Sequence, residues 1–318
     1  MDFSARQAPW AVAFALALFL VGGYQLLFAP PADFPSGSIV SIARGSSAPL
    51  VAEQFATARL IKHPRLLLLA LRVSGASARV QAGAYLFTKS ENLFVVAYRI
   101  VAGAYGLPPV RITFPEGTSV RQAAALISAA LPEVKAADFL KAAQPYEGYL
   151  FPDTYLFPPS ADTTSIIALL RANFDAKIAT LSVDIAAAGR SISDIVTLAS
   201  LVEKEGRTTE SRRMVAGILL NRLKLGMPLQ VDAVFGYING RDTYSPSFAD
   251  LTVDSPYNTY THKGLPPGPI CNPGMDALQA VLHPSKTSYL YYLTGKDERM
   301  HYATTFTEHQ ANRKKYLR

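Results

Sequence analysis

The chain has 318 residues, of which 49% are hydrophobic and 17% charged, with a formal net charge of +7. That length and apolar content exclude a disordered tail protein and call for a sizeable core, in one large domain or two ordinary ones. The basic excess suits an anionic surface such as lipid headgroups, a polyanionic wall or nucleic acid, but no nucleic-acid motif accompanies it and no nucleic acid is expected as a partner.

Residues 10–28 carry no charge and come close to the roughly 20 residues that a bilayer-spanning helix needs. A secretory signal usually has an apolar stretch of only about 7–15 residues before a small-residue cleavage site. Phe28-Ala29-Pro30-Pro31 makes a poor site. A buried core helix would show a polar stripe, and this segment has none. The reading is an uncleaved membrane helix, with the body of the chain across the membrane from a short tail bearing Asp2 and Arg6. The single cysteine, Cys271, cannot form an intramolecular disulfide and says nothing about the compartment.

After a juxtamembrane linker at residues 30–37, residues 38–43 read as a strand, 48–60 as a helix, 63–73 as a helix opening at Pro64, and 83–87 as a closing strand. The pattern is strand, helix, helix, strand. A second start follows Gly106-Leu107-Pro108. Residues 110–114 alternate like a strand, Pro115-Glu116-Gly117-Thr118 is a turn, and Thr118 or Ser119 caps a helix through Leu131. Neither region carries a metal cluster, a phosphate loop or a nucleophile elbow, so both are assigned to positioning or binding.

From Tyr146 onward Tyr, Pro, Asn and Gly crowd into loops and carboxylates stand in apolar contexts, the composition expected where chemistry sits on loops held by a scaffold. Ser191, with Asp194 three residues on, is a helix N-cap. Ile195, Leu198, Ala199 and Val202 then form one apolar stripe, and Gly206 is a C-terminal stop. Helical spacing puts Glu203 and Glu205 on opposite flanks of that stripe and points Lys204 away. A carboxyl against apolar neighbours keeps its proton longer, as a general acid near neutral pH requires. Both acids fit that description; either could instead cap the last turn or pair with Arg207, Arg212 or Arg213. Glu147 and Asp153 could order residues 146–155 by hydrogen bonding. The five histidines, His63, His262, His283, His301 and His309, show no close metal-ligand spacing, so neither a metal nor another cofactor is expected.

The run Ala199-Ser200-Leu201-Val202-Glu203-Lys204-Glu205 is followed by Ile218-Leu219-Leu220-Asn221-Arg222-Leu223 and by Gly226-Met227-Pro228-Leu229-Gln230-Val231-Asp232. With Glu147-Gly148-Tyr149-Leu150-Phe151-Pro152-Asp153 before them, Ser255-Pro256-Tyr257-Asn258-Thr259-Tyr260 through Pro266-Pro267-Gly268-Pro269-Ile270 after them, and His283-Pro284 ahead of Tyr289-Leu290-Tyr291-Tyr292, these resemble the endolytic murein transglycosylase family (MltG, YceG-like). The resemblance covers nearly the whole chain.

It implies an α+β chain with an N-terminal transmembrane helix, a small LysM-like domain and a mixed α/β catalytic domain. Residues 1–9 would be a cytoplasmic tail, 10–29 the membrane helix, 30–107 the linker and LysM-like domain, and 108–318 the catalytic domain, divided into a strand–helix subdomain at 108–145 and a core at 146–318. In the family the second glutamate of the Glu-Lys-Glu triplet is catalytic, which carries over to Glu205. The implied reaction cuts the MurNAc–GlcNAc β-1,4 bond of nascent glycan with the sugar's own 6-hydroxyl, leaving a 1,6-anhydro end at the outer face of the inner membrane, next to the peptidoglycan synthases. Gln230, Asp232, Asn258, Tyr260, Glu203 and Asn221 would line the sugar groove, with residues 266–269 stiffened by proline. A second carboxylate at glycosidase distance, for which Asp232 is the candidate, would instead make a hydrolase. A chain that kept the fold without the chemistry would be a wall-binding scaffold. Ala233 and Val234 stand where the family commonly has Pro and a hydroxyl residue, and Gly206 where it has Thr.

Overall fold

The computed structural model of the chain describes residues 8–43, 45–241 and 246–317. Arg6 and Asp2, on which the orientation of the tail was read, lie outside the described residues. The chain divides into two compact units, residues 1–110 with 157–160, and residues 111–156 with 161–318.

In the first unit α1 (Ala8–Leu27) is a 20-residue helix whose apolar side chains from Val12 onward stand largely exposed, Phe14 and Phe19 among them. Among the described residues no single helix is long and apolar enough to cross a membrane; Val12–Leu27 of α1 forms a shorter apolar stretch. Next come β1 (Ser38–Ile42), α2 (Ala48–Thr57), α3 (Pro64–Val73), β2 (Gly83–Phe87) and α4 (Leu93–Ala102). β1 and β2 pair antiparallel with Ser38 opposite Phe87. Their buried face, with Tyr85 and Phe87, closes on Val51, Phe55, Leu67, Leu71, Val96 and Ile100.

Two elements depart from the sequence reading. α2 stops at Thr57 rather than residue 60, because Arg59 turns into the left-handed region at φ 57° while Leu60 N–H folds back to Phe55 O at 2.9 Å. α4 was not expected at all. Its apolar residues occupy both faces, with Leu93, Val96 and Ile100 buried and Phe94, Val95 and Tyr98 exposed, so no single stripe marks it.

The second unit begins at Arg111, within β3 (Val110–Thr113), which pairs with β4 (Thr154–Phe157). Between them lie α5 (Val120–Ala130), held by a reciprocal Ser119–Gln122 capping box, and α6 (Ala136–Ala143). Then follow α7 (Thr163–Thr180), α8 (Ser182–Ala188), α9 (Ile192–Glu205), α10 (Thr209–Lys224), α11 (Ala233–Asn239) and α12 (Met275–Leu282). A hairpin of β5 (Tyr291–Thr294) and β6 (Met300–Ala303) precedes α13 (Phe306–Tyr316).

The core of this unit is helical. α9 runs through its centre with residues 195–203 all buried, packed on Val215, Ala216 and Leu219 of α10 and on Ala277, Leu278 and Ala280 of α12. The class is α+β, with helices dominating and the described strands confined to three two-stranded sheets. Proline 269 is pressed against Gly148, which sits at φ 84°; a Cβ there would lie 2.4 Å from Pro269 Cγ. This contact, with Ile270 N–H donating to Ser200 Oγ at 3.1 Å, fastens the proline-rich loop to α9.

Candidate functional site

Ser191 starts α9 by accepting from Asp194 N–H at 3.0 Å, and the expected stripe of Ile195, Leu198, Ala199 and Val202 is buried. The helix ends at Gly206, but not in the left-handed geometry usual for a glycine stop: its backbone is extended at φ −97°, ψ 129°. The reason for glycine is space. A Cβ at residue 206 would lie 2.5 Å from Arg212 Cγ and 2.8 Å from its Cα. α10 therefore comes close behind the end of α9, and Arg212 is carried to Glu203.

The two glutamates that flank the stripe meet different surroundings. Glu203 is buried, bonded to the Arg212 guanidinium and to Gly274 N–H at 2.9 Å. Arg212 also donates to Asp276 Oδ2 at 2.6 Å. Glu203 thus joins α9, α10 and the start of α12, one of the pairings that the sequence left open. Glu205 faces the other way, into a cleft of about 990 Å³ shared with Arg222, Gln230, Asp232, Tyr260 and Tyr292. Burial and the nearby Asp232 charge push its carboxyl up to about 7, against hydrogen bonds from the Tyr292 hydroxyl and Ala233 N–H that favour the ionised form.

The opposite wall is the segment before α11. Gln230 sits at φ 52°, an uncommon conformation for a side chain without special backbone tolerance. It is held there by its N–H to Thr259 O at 3.0 Å and by Arg222 Nη1 to its Oε1 at 3.3 Å. Val231 N–H donates to Thr259 Oγ1 at 2.9 Å, and the Tyr260 hydroxyl donates to the Asp232 carboxylate. Burial raises the Asp232 carboxyl above its ordinary range, with the Tyr260 bond opposing. Arg222 ties this wall to the hairpin, donating to Leu229 O at 2.8 Å and to Leu290 O at 2.6 Å. Its guanidinium lies 5.1 Å from the Tyr291 ring centroid.

The sequence-named residues therefore divide. Glu205, Gln230, Asp232 and Tyr260 share the cleft. Asn258 is fully buried and holds its own loop, donating to Leu251 O and Val253 O and accepting from Tyr260 N–H. Asn221 bonds to Thr287 O at 2.8 Å and lines a different hollow. Glu203 lies at the cleft's edge with its carboxylate engaged by Arg212 and Gly274. Glu147 accepts from Val120 N–H at the start of α5, at 3.0 and 3.2 Å, and from Gly148 N–H in its own segment, so it also ties that segment to a distant helix. Asp153 does act locally, on Thr154 N–H at 2.8 Å.

Tyr292 and Arg222 belong to the cleft and were not singled out from the sequence. Both stand inside quoted motifs, yet neither spacing nor residue type separates them from their neighbours. His301 pairs with Asp297, and among the described residues no group of three His, Cys, Asp or Glu side chains converges as a metal site would.

The sequence pattern of the YceG-like family matches residues 40–315. The chain is 32% identical over 322 residues to the endolytic murein transglycosylase of Bacillus subtilis (strain 168), covering 93% of this chain and 89% of that protein. It is 36% identical over 172 residues to the endolytic murein transglycosylase of Streptococcus pneumoniae serotype 2 (strain D39), over 52% of this chain and 31% of that one. A crystal structure of a YceG-like protein from Listeria monocytogenes superposes with a TM-score of 0.60 at 29% identity, covering 86% of this chain and 98% of that one. On the extent of these matches, and with the Glu-Lys-Glu helix end set against the Gln230–Asp232 wall, the chain belongs to the YceG-like family.

Proposed function

We propose that this protein is a lytic transglycosylase that cuts peptidoglycan glycan strands internally, with Glu205 as its single general acid and base. The observation that carries the reading is the Glu205 carboxyl, raised to about 7 at the edge of a large polar cleft. A group with that value is populated in both protonation states near neutral pH, as one residue serving first as acid and then as base must be. The names of the Bacillus and Streptococcus relatives supply the substrate class.

In the proposed reaction protonated Glu205 donates to the glycosidic oxygen as the C1–O bond breaks. The 6-hydroxyl of the same sugar attacks C1, and its proton passes to the Glu205 carboxylate, which restores the starting acid. The product is a 1,6-anhydro end, and no water is consumed. Asp232 would stabilise positive charge developing on the ring, while its repulsion of ionised Glu205 favours return of the proton. Gln230 and Tyr260 would contact the sugars directly. Asn258, Asn221 and Glu203 would act through the walls that they hold.

A hydrolase would need Asp232 free to activate water or to attack C1. Its bond from Tyr260, which engages the carboxylate, favours a supporting part instead. Cleavage of uncrosslinked glycan strands in heavy-oxygen water tests this: unlabelled anhydro ends are expected. Labelled reducing ends would make the protein a hydrolase, and intact strands would leave it a wall-binding scaffold.

The uncharged α1 with its exposed apolar side chains supports a single-pass inner-membrane anchor, a tail at residues 1–9 on the cytoplasmic side and a periplasmic body. Residues 30–107 are proposed as linker and LysM-like domain, binding glycan. Residues 108–318 are proposed as the catalytic domain, with 108–145 supporting a core at 146–318 and the peptidoglycan synthases as neighbours.

A further inference from the structure

A second cavity, of about 470 Å³, opens on the other side of Ala233 and Lys204. Both residues also line the cleft that holds Glu205, and Ala233 N–H is itself a donor to Glu205. The two hollows thus abut within one residue of the candidate acid. A volume in this range matches the pockets that hold small ligands or a few residues of a peptide.

Its lining mixes apolar surface with cationic and hydrogen-bonding side chains. Arg121, from the first turn of α5, and Lys204 contribute two cations, and Gln122, Gln144, Tyr237 and Tyr257 add hydrogen-bonding groups. Arg241 also borders it and faces Asp250. The carboxylate in the lining, Glu147, is buried against Val120 N–H. Burial pushes it up to about 7 despite the pull of Lys204 and Arg121, so it carries only part of a negative charge near neutral pH and leaves the cavity net positive.

We infer that this cavity is a subsite for the carboxylate-bearing peptide stem of the glycan, with Arg121 and Lys204 receiving the carboxylate. The inference rests on the proposed function and extends it. The stem hangs from the muramic sugar, the residue whose C1 bond is cut, so it must emerge beside Glu205. The hollow across Ala233 is a basic space adjoining that point. An anionic peptide there gains charge-assisted hydrogen bonds that a bare sugar cannot make, and the protein would prefer nascent strands whose stems are intact.

The test uses the full chain with Glu205→Gln, so that nothing is cut, and measures affinity for stem-bearing strands and for the same strands stripped of stems by an amidase. Stem-bearing strands should bind about tenfold tighter. Adding Arg121→Glu should remove most of that preference, and Arg121→Lys should keep much of it. The urea unfolding midpoint of the Arg121→Glu protein, expected to match that of the parent, controls for folding. Equal affinity for both strands, or a preference that survives Arg121→Glu, would overturn the subsite. An Arg121-dependent preference in a protein whose wild type cuts neither strand would keep the subsite and discard the transglycosylase reading.

Discussion

Tyr292 of β5 donates its hydroxyl to the Glu205 carboxyl at the end of α9, so a residue 87 positions further along the chain sets the proton affinity of the candidate acid. Tyr292 is half-buried, and its hydroxyl is held well above the usual tyrosine range by desolvation and by the Glu205 charge. It therefore stays a donor throughout the working pH range. Because this bond favours ionised Glu205 while Asp232 opposes ionisation, the two neighbours move the acid in opposite directions.

Activity is expected to fall as pH rises through about 7, since the first step needs Glu205 protonated. Tyr292→Phe removes a bond to the ionised form and should move that alkaline limb to higher pH. Asp232→Asn removes a repulsion and should move it to lower pH. Profiles of kcat/KM against pH for the three proteins check both signs, and limbs that coincide would remove Glu205 from the role of acid.

The raised carboxyl also bears on stability. Between the ordinary glutamate value and about 7 the folded chain binds more protons at residue 205 than the unfolded chain, so stability declines as pH rises across that window. Glu205→Gln cannot ionise and should be more stable than wild type by about 3 kcal/mol at pH 8, with almost no difference at pH 4. Urea unfolding at the two pH values measures this.

Arg222 is bonded to three backbone carbonyls and to Gln230. Arg222→Ala would leave those buried acceptors unpaired and should cost about 3 kcal/mol. Glycan affinity should fall with it as the Gln230 turn loosens. An unchanged urea midpoint would show that the two walls hold without it.

Gly148 and Gly226 both have positive φ, at 84° and 65°. Only at Gly148 does an added Cβ meet anything, namely Pro269 at 2.4 Å and Val196 at 3.0 Å; nothing lies within 4 Å at Gly226. Gly226→Ala should cost about 1 kcal/mol, from backbone conformation alone. Gly148→Ala should cost about 3 kcal/mol or more, because the loop must also leave α9. Equal melting temperatures for the two variants would contradict that packing.

What was legible in the sequence was local. A cap at Ser191 and an apolar stripe with helical period are enough to place α9 and to flank the stripe with two acids. Their division of labour was not legible. It is decided by Arg212 and Gly274 on one side and by Ala233 and Tyr292 on the other, contacts that no window around the motif contains. Asn258 has the residue type of a sugar contact, but it turns inward because Leu251 O and Val253 O need a donor. Gln230 gave no sign of a left-handed backbone, since that conformation is imposed by Thr259 and Arg222. α4 escaped because both of its faces are apolar. Glycine 206 does stop α9 as its type suggests, but what requires glycine there is the close approach of Arg212.

The most direct test of the central claim compares wild type with Glu205→Gln on nascent, uncrosslinked glycan strands, with the products identified by mass spectrometry and strand binding measured in parallel. The account predicts 1,6-anhydro-ended fragments from wild type, none from Glu205→Gln, and binding retained by both. Anhydro-ended fragments from Glu205→Gln at the wild-type rate would contradict it.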